Sequence, residues 1–457
     1  MRRMQVILIV FAGVAMRFLF VSKGLFGDIL PFAEWGSRYW VIGARDFYNS
    51  SGWYYSFPTY FPPAMLLFAF LNWVNQHSFV LAMLHNAIKI VPSSFVRFFG
   101  EVVPLDPFRF TYGYYLLIKL PNILADGIIS FMLYIIVTRA SNNYRAGIVA
   151  AMIYSFNPVV IFLSGVWGQI ESVVALLGLT SLVLVYYRKF AVSLFLMFVC
   201  LYTKPTWVLL LPVYILFLYL LKPRLRDLVI GAVSSFLFFL IVTIPFARGN
   251  PIGFVINIVL SNILPSAKGV ARASVSAFNF HSLLFSIDKS LASEKMLFVS
   301  AKSWGNLATA FLYFVSFVYL RFQKKINFDN LMLTIFAIGM GSYLFGTNML
   351  ERYFFPAFIP MIYMIVRHKK LWKELVLINV VLFSNLYWAF YRRSSGELND
   401  FFVSHGYIVI RALSLLIIAM YLRVLSKLGF LQGLSKLKLV GKSKRFALVG
   451  RLVQKFS

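Results

Sequence analysis

The chain has 457 residues, of which 60% are hydrophobic, 18% aromatic and only 13% charged. A soluble domain would carry about twice that charged fraction, so the composition excludes an ordinary soluble protein. In a soluble chain the net charge of +29 would indicate nucleic-acid binding, but here the basic residues form short clusters between apolar runs. Such clusters are typical of cytoplasmic loops, so we predict an all-α polytopic membrane protein without a nucleic-acid partner.

Apolar runs of about 18–25 residues, the length that crosses a bilayer, recur along the chain. The first run lacks a small-residue cleavage site and is expected to be a signal anchor. Two weaker runs within 61–96 either add two spans or form a hairpin at the membrane edge, so we expect 12 or 14 spans. The predicted spans are 5–22, 114–138, 146–163, 168–187, 190–203, 206–221, 228–246, 295–320, 330–347, 353–366, 371–390 and 406–424.

The positive charges predict how these spans are oriented. Basic clusters occupy alternate connections, which should therefore be cytoplasmic, and segments 23–60 and 247–294 then face outward. Both outward segments are too long for simple connectors and are the expected location of a functional site. Residues 1–424 are predicted to form the membrane domain, and the basic tail 425–457 to lie against anionic lipid in the cytoplasm. No internal repeat is evident, which weakens the case for a repeat-built transporter.

The first outward segment begins with a carboxylate, Asp28, which follows Gly27. Helical spacing follows it, with Glu34 and Arg38 at positions i and i+4. One interpretation makes Asp28 the N-cap of a helix on the membrane surface. Another makes it a partly desolvated base that accepts a proton from a hydroxyl. The residue alone does not decide between these interpretations.

Further polar residues are predicted on the same face of the membrane. Ionisable residues at such depth are costly and usually face a cavity, although Lys204 and Arg352 could each be interfacial anchors. We expect one groove lined by Asp28, Gln169, Glu171, Lys204, Asn279 and Arg352. The polar residues of this face are Trp167, Gln169 and Glu171 in 164–172, Lys204 in 201–207, Asn279 and His281 in 274–284, and Asn348, Glu351 and Arg352 in 346–358.

Other polar residues are not expected to form a site. Lys119, Asn122 and Asp126 share one face of a span, where a buried structural pair is the favoured interpretation. The single cysteine, Cys200, allows no internal disulfide, and the histidines have no metal-like spacing. The chain has no glycine-rich phosphate loop and no Ser-His-Asp order. Neither a metal nor a cofactor is expected.

Six sequence stretches occur in an order that is specific as a set, over about residues 5–370. They are "GDILPFAEW", "KLPNILADGIISFMLYIIVTR", "FNPVVIFLSGVWGQIES", "LYTKPTWVLLLP", "SAFNFHSLL" and "LERYFFPA". With these stretches the chain resembles the polyprenyl-phosphate-sugar-dependent glycosyltransferases of the GT-C fold, most closely the bacterial mannosyltransferase-like branch. In two places it departs from the family pattern: Glu171 replaces the usual Asp, and Leu350 replaces a common His.

The resemblance implies a bundle of 12–14 transmembrane helices with long extracytoplasmic loops, in a bacterial or archaeal plasma membrane. It further implies an inverting enzyme that moves a hexose, mannose or glucose, from a polyprenyl-phosphate donor to a lipid- or glycan-linked acceptor. Asp28 would be the general base, and Lys204 and Arg352 would bind the donor phosphate. The residues implied to bind substrate are Glu34, Trp35, Arg38, Tyr60, Trp167, Gln169, Glu171, Asn279, His281 and Glu351.

Two alternatives remain open. A lipid or solute transporter would use Asp28 and Glu171 to bind or gate a cation, but transporter sites lie near the midplane rather than at one face. A GT-C-fold protein could also bind a lipid-linked sugar without catalysis.

Overall fold

The computed structural model describes residues 2–77, 101–102, 110–263, 271–323 and 326–431. It is 75% helical. In the described ranges the sheet content is one two-stranded hairpin, β1 (Lys295–Met296) and β2 (Val299–Ser300). The fold is therefore all-α, as the composition predicts.

In chain order, the first ten helices of the described residues are α1 (Arg2–Phe18), α2 (Ile29–Ile42), α3 (Pro62–Gln76), α4 (Tyr112–Ser141), α5 (Tyr144–Ser155), α6 (Pro158–Ile161), α7 (Glu171–Tyr186), α8 (Phe190–Thr203), α9 (Leu211–Leu221) and α10 (Leu225–Thr243). The others are α11 (Pro251–Ile258), α12 (Phe280–Leu284), α13 (Ala301–Arg321), α14 (Phe328–Phe345), α15 (Phe355–Arg367), α16 (Trp372–Tyr391) and α17 (Gly396–Lys427). Short 3₁₀ turns are Phe47–Asn49, Pro205–Leu210, Ile244–Phe246 and Lys369–Leu371, and π-helical turns are Phe162–Trp167 and Val259–Ile263.

Six helices of the described chain are long and apolar enough to cross a membrane, or seven if α5 and the bent continuation Pro158–Trp167 form one span. Six further apolar helices have 10–17 residues. The protein is thus an all-α polytopic membrane protein, while the total of 12–14 spans stays a prediction. The first part of the two weaker runs in 61–96 forms helix α3, and residues 78–96 lie outside the described residues.

The chain divides into two compact units. The first comprises Met1–Ile136, Gly147–Trp207 and Lys222–Gly269, and the second comprises Val137–Ala146, Val208–Leu221 and Val270–Ser457. The predicted boundary at 424/425 falls inside α17, and the basic tail beyond 431 lies outside the described residues.

In the first unit, α2 packs closely on α3, and α8 packs against α7 and α10. Gly36 makes the first contact possible, because a Cβ at that position would lie 2.5 Å from the Phe68 carbonyl oxygen. Small residues allow such close approach of helix backbones in membrane proteins. Helix α2 is thereby fixed against α3, and Asp28 lies at the N-terminus of α2.

In the second unit, α14 is the central helix. Of its residues 89% are buried, compared with 17% in the apolar stretch of α10 in the first unit. A helix that is apolar all round and buried belongs to a protein interior, whereas an exposed apolar helix is expected to face lipid. Tyr421 of α17 donates a hydrogen bond to the Ala337 carbonyl at 2.7 Å, which ties α17 to this centre. Helix α17 is broken at Ser404–Tyr407, where three successive residues have positive φ.

Candidate functional site

Asp28 precedes the first residue of α2, yet its side chain does not cap the helix in the described structure. Its Oδ2 atom instead accepts hydrogen bonds from Trp167 Nε1, at 3.1 Å, and from Gln169 Nε2. The carboxylate is half-buried. Among the described residues the structure therefore shows no side-chain cap from Asp28 and a carboxylate oriented by a distant element, while its role as a base stays a prediction.

Trp167 and Gln169 reach Asp28 from a tight turn centred on Gly168. The π-helical turn Phe162–Trp167 ends there, with Gly168 in the left-handed region at φ 75°. A Cβ at Gly168 would also lie 3.0 Å from Lys119 Cγ and 3.2 Å from Ile29 Cδ1. Glycine suits this position because it adopts positive φ at little cost and leaves room for the neighbouring side chains.

Arg17, in the last turn of α1, is hydrogen-bonded to the same π-helical turn. Its Nε atom donates to Asp126 Oδ2 at 2.9 Å and to Ser164 Oγ at 3.1 Å, while Nη1 donates to the Gly13 and Ser155 carbonyls. Tyr154 donates to the other oxygen of Asp126 at 2.9 Å. Arg17 was not predicted from the sequence, although a basic residue inside the first apolar run was a usable signal.

The expected buried pair among Lys119, Asn122 and Asp126 of α4 is not formed within that helix, because Lys119 and Asp126 find partners on other segments. Asp126 pairs with Arg17, whereas Lys119 Nζ donates to the carbonyls of Val21 and Lys23 at 2.8 and 2.7 Å. Asn122 accepts from the Val173 backbone at 3.4 Å. Lys119 and Asp126 are two turns apart on one helix, so each finds a partner on another segment. Lys119 thus holds the chain that leads to Asp28.

Lys204 and Glu171 form a buried ion pair in the first unit. Lys204 follows the last residue of α8 in an extended conformation, as expected for a residue before proline. Its ammonium also lies 3.4 Å from Gln169 Oε1 and 4.9 Å from the centre of the Tyr60 ring. Gln169 therefore bridges Asp28 and Lys204, and the first unit joins Asp28, Gln169, Lys204 and Glu171 in one polar network.

Glu34, Trp35 and Arg38 shape the loop after α2. The buried Glu34 carboxylate accepts from the backbone N–H groups of Tyr54 and Tyr55 at 2.8 and 2.9 Å, and from Arg38 at 3.2 Å. Arg38 and Trp35 donate to carbonyls of the same loop, at Gly52 and Ser56. Trp35 also contacts Tyr60, with ring centres 5.6 Å apart. Their observed role is to fix the loop, and their contact with substrate stays a prediction.

In the second unit, Asn279 and His281 stabilise the short helix α12. Asn279 caps α12 in a reciprocal arrangement with Ser282. His281 Nε2 donates to the Phe345 carbonyl at 2.8 Å, and its Nδ1 is buried without a hydrogen-bond partner among the described residues. Burial lowers the pKa of His281 below its usual value. Both residues therefore have a structural explanation within α12 and the end of α14.

Glu351 and Arg352 pair with each other at 2.6 Å in the turn that precedes α15, in the second unit. Ser276 donates to the other oxygen of Glu351. Asn385 of α16 fixes the segment that contains Ser276, because it donates to the Ser276 carbonyl at 2.6 Å and accepts from Tyr343 at 2.6 Å. Asn385 was not singled out in the sequence, where a lone Asn in an apolar run gave a weak signal. Asn348, three residues before Glu351, accepts a hydrogen bond from the Arg272 backbone at 2.7 Å.

The structure brings together four of the six residues that were expected to line one groove. Asp28, Gln169, Glu171 and Lys204 come together within the first unit, whereas Asn279 and Arg352 belong to the second unit. A single groove of all six residues stays a prediction. Among the described residues, no group of three or more His, Cys, Asp or Glu side chains could hold a metal ion.

Comparison with known proteins adds no relative. The chain matches no family model, and a search of curated proteins finds no significant match.

Proposed function

We propose that the protein is an inverting glycosyltransferase that moves a hexose, mannose or glucose, from a polyprenyl-phosphate donor to a lipid- or glycan-linked acceptor. The observation that carries the proposal is the Asp28 carboxylate, which is half-buried and oriented by Trp167 and Gln169 instead of capping α2. The ordered sequence stretches that resemble the GT-C glycosyltransferases support it further. A donor held in the membrane by its lipid agrees with a chain of apolar helices.

The reaction needs a base and a cation, and the first unit brings both types of group together. Asp28 takes the proton of the acceptor hydroxyl as its oxygen attacks the anomeric carbon. The bond from that carbon to the phosphate oxygen breaks, and the polyprenyl phosphate leaves with the bonding electrons. No acid is needed, because phosphate is already a good leaving group. Orienting the carboxylate before the reaction lowers the barrier, since the geometry is set in advance.

Lys204 is the candidate cation for the departing phosphate in this unit. Its ammonium has three N–H donors, so it can contact a phosphate oxygen in addition to Glu171 and Gln169. Cations stabilise the charge that develops on the leaving group in the transition state. A phosphate-binding role for Arg352, which pairs with Glu351, stays a prediction from the resemblance. We place the reaction on the extracytoplasmic face of a bacterial or archaeal plasma membrane.

The test is sugar transfer by membranes that contain the Asp28→Asn variant, given radiolabelled polyprenyl-phosphate mannose or glucose. Loss of a general base should slow transfer by about 10²–10⁴-fold at normal expression. Asp28→Glu should also be impaired, because an extra methylene misplaces the carboxylate.

Asp46→Asn is the matched control. It removes the same charge from the same outward segment, 23–60, but the Asp46 side chain is 59% exposed and pairs with Arg248 at the surface. Its transfer rate should stay close to that of the unmodified protein. An Asp28→Asn variant as active as this control would contradict Asp28 as the base. Uptake or flipping without any glycosidic product would favour the transporter instead.

A further inference from the structure

The hairpin before α13 has an unusual turn. Strands β1 and β2 pair with Lys295 opposite Ser300 and Met296 opposite Val299, so Leu297 and Phe298 form a two-residue loop. Both have positive φ, 51° and 67°. Such loops favour Asn-Gly, because bulky residues seldom adopt positive φ. A leucine and a phenylalanine therefore occupy a strained turn.

The two turn residues are also unusually exposed. The exposed fraction is 73% for Leu297 and 95% for Phe298, the highest value among the exposed large hydrophobic residues described. Backbone strain that persists in a folded protein points to a functional constraint. Here the strained backbone presents two large apolar side chains outward, where an apolar environment would match them.

The hairpin is fixed beside the first turn of α13. Ser300 caps α13 through the Ser303 backbone at 3.1 Å, and Trp304 Nε1 donates to the Met296 carbonyl at 3.1 Å. Trp304 lies about 5 Å along the helix from its first residue. Since Met296 directly precedes the turn, this hydrogen bond holds the base of the turn beside the first turn of α13.

Helix α13 is one of the candidate membrane spans of the described chain by its length and composition, so we expect its first turn at a membrane surface. Tryptophan is enriched at this depth, which agrees with the position of Trp304. Two exposed lysines, Lys295 and Lys302, flank the turn. Apolar side chains between lysines match a lipid interface, where the apolar groups enter the acyl region and ammonium groups meet phosphates.

We propose that Leu297 and Phe298 insert into the phospholipid leaflet at the N-terminal end of α13, with Lys295 and Lys302 at the headgroup phosphates. The proposal does not depend on the glycosyltransferase activity. It explains why a strained turn displays two apolar side chains, and it makes the hairpin an anchor for the segment that leads into α13.

The test is nitroxide labelling of Phe298→Cys in the full-length protein, reconstituted in vesicles of phosphatidylcholine and phosphatidylglycerol. The background variant is Cys200→Ser, which removes the only cysteine of the chain. Collision rates are measured with oxygen, which concentrates in lipid, and with a water-soluble nickel chelate. Ser293→Cys, exposed on the segment before β1, is the matched control.

We expect the oxygen-to-nickel collision ratio to be severalfold higher at 298 than at 293. Leu297→Cys, which keeps the phenylalanine, should give the same contrast, so the result does not depend on losing Phe298. A nickel-dominated signal at 297 and 298, equal to that at 293, would overturn the proposal. Protection of these positions from both reagents would also overturn it, because a protein surface would then cover the turn.

Discussion

Lys204 and Glu171 show how a single residue pair can serve both stability and chemistry. Their side chains are 5% and 3% exposed, and Gln169 links them to Asp28. Burying two charges is costly, and their attraction offsets that cost only while both are present. Removing one partner should therefore be worse than removing both.

Glu171→Leu and Lys204→Met should each lower the free energy of unfolding by roughly 3–5 kcal/mol, because each leaves one buried charge unpaired. The double variant should lose less than either single variant. Thermal unfolding in detergent measures all three. If Lys204 also binds the donor phosphate, the double variant should recover stability but not sugar transfer. Additive losses of stability would contradict a coupled pair.

His281 predicts a pH dependence in the second unit. Its pKa is lowered by burial, so the unfolded chain binds a proton more readily than the folded chain. Stability should be fully present above the usual histidine pKa of about 6.5 and fall as the pH drops below it. His281→Gln keeps a donor for the Phe345 carbonyl but does not titrate.

The loss of Tm between about pH 7.5 and 5.5 should therefore be smaller for His281→Gln than for the unmodified protein. An equal loss of Tm in both proteins would assign the pH dependence to other groups.

At the level of elements, the π-helical turn Phe162–Trp167 connects the buried Arg17–Asp126 pair to the candidate site. Arg17 and Ser164 fix one end of this turn, and Gly168 terminates the other. π-helical turns occur often at functional sites, because the extra residue redirects the side chains that follow. Trp167 and Gln169 obtain their direction toward Asp28 in this way.

Gly168→Ala should lower sugar transfer, because its Cβ would press on Lys119 and Ile29 and shift Trp167 and Gln169. Positive φ adds roughly 1–2 kcal/mol of strain for a non-glycine residue. Gly249→Ala is the control: Gly249 also has positive φ, 92°, but no described atom lies within 4 Å of its Cβ position. Initial transfer rates and thermal unfolding are measured for both variants. Backbone strain should destabilise both, whereas displacement of the donors Trp167 and Gln169 should slow transfer in Gly168→Ala alone. Equal transfer by both variants would contradict the positioning role.

At the scale of the whole molecule, the membrane orientation can be tested directly. Positive clusters predict that the segments 23–60 and 247–294 face outward, with 188–189 in the cytoplasm. Ser51, Ser293 and Tyr187 are exposed positions in or next to these segments.

In intact cells, Ser51→Cys and Ser293→Cys on the Cys200→Ser background should react with a membrane-impermeant maleimide. Tyr187→Cys should react only after the membrane is opened. Labelling of Tyr187→Cys from outside, with protection of the other two, would invert the topology and move the proposed reaction to the cytoplasmic face.

The amino-acid sequence determined the class of this protein, because the bilayer imposes a strong and local constraint. Backbone polar groups in lipid must be satisfied within helices, so long apolar runs such as 114–138 and 228–246 predict spans without tertiary information. They correspond to α4 and α10. The sequence also singled out Asp28, Gln169, Glu171 and Lys204, since polar residues in an apolar chain are few.

Only the tertiary structure decided how those residues are partnered. Asp28 and Gln169 are 141 positions apart, and Arg17 and Asp126 are 109 apart. Local patterns hold no information on partners so far apart in the chain, so the residues around Asp28 left a helix cap and a base both open, and those of α4 favoured a pair within that helix. Helix packing brought Trp167 and Gln169 to Asp28 and Arg17 to Asp126. A buried polar group must find its partner wherever packing brings one, and that requirement is a property of the whole fold.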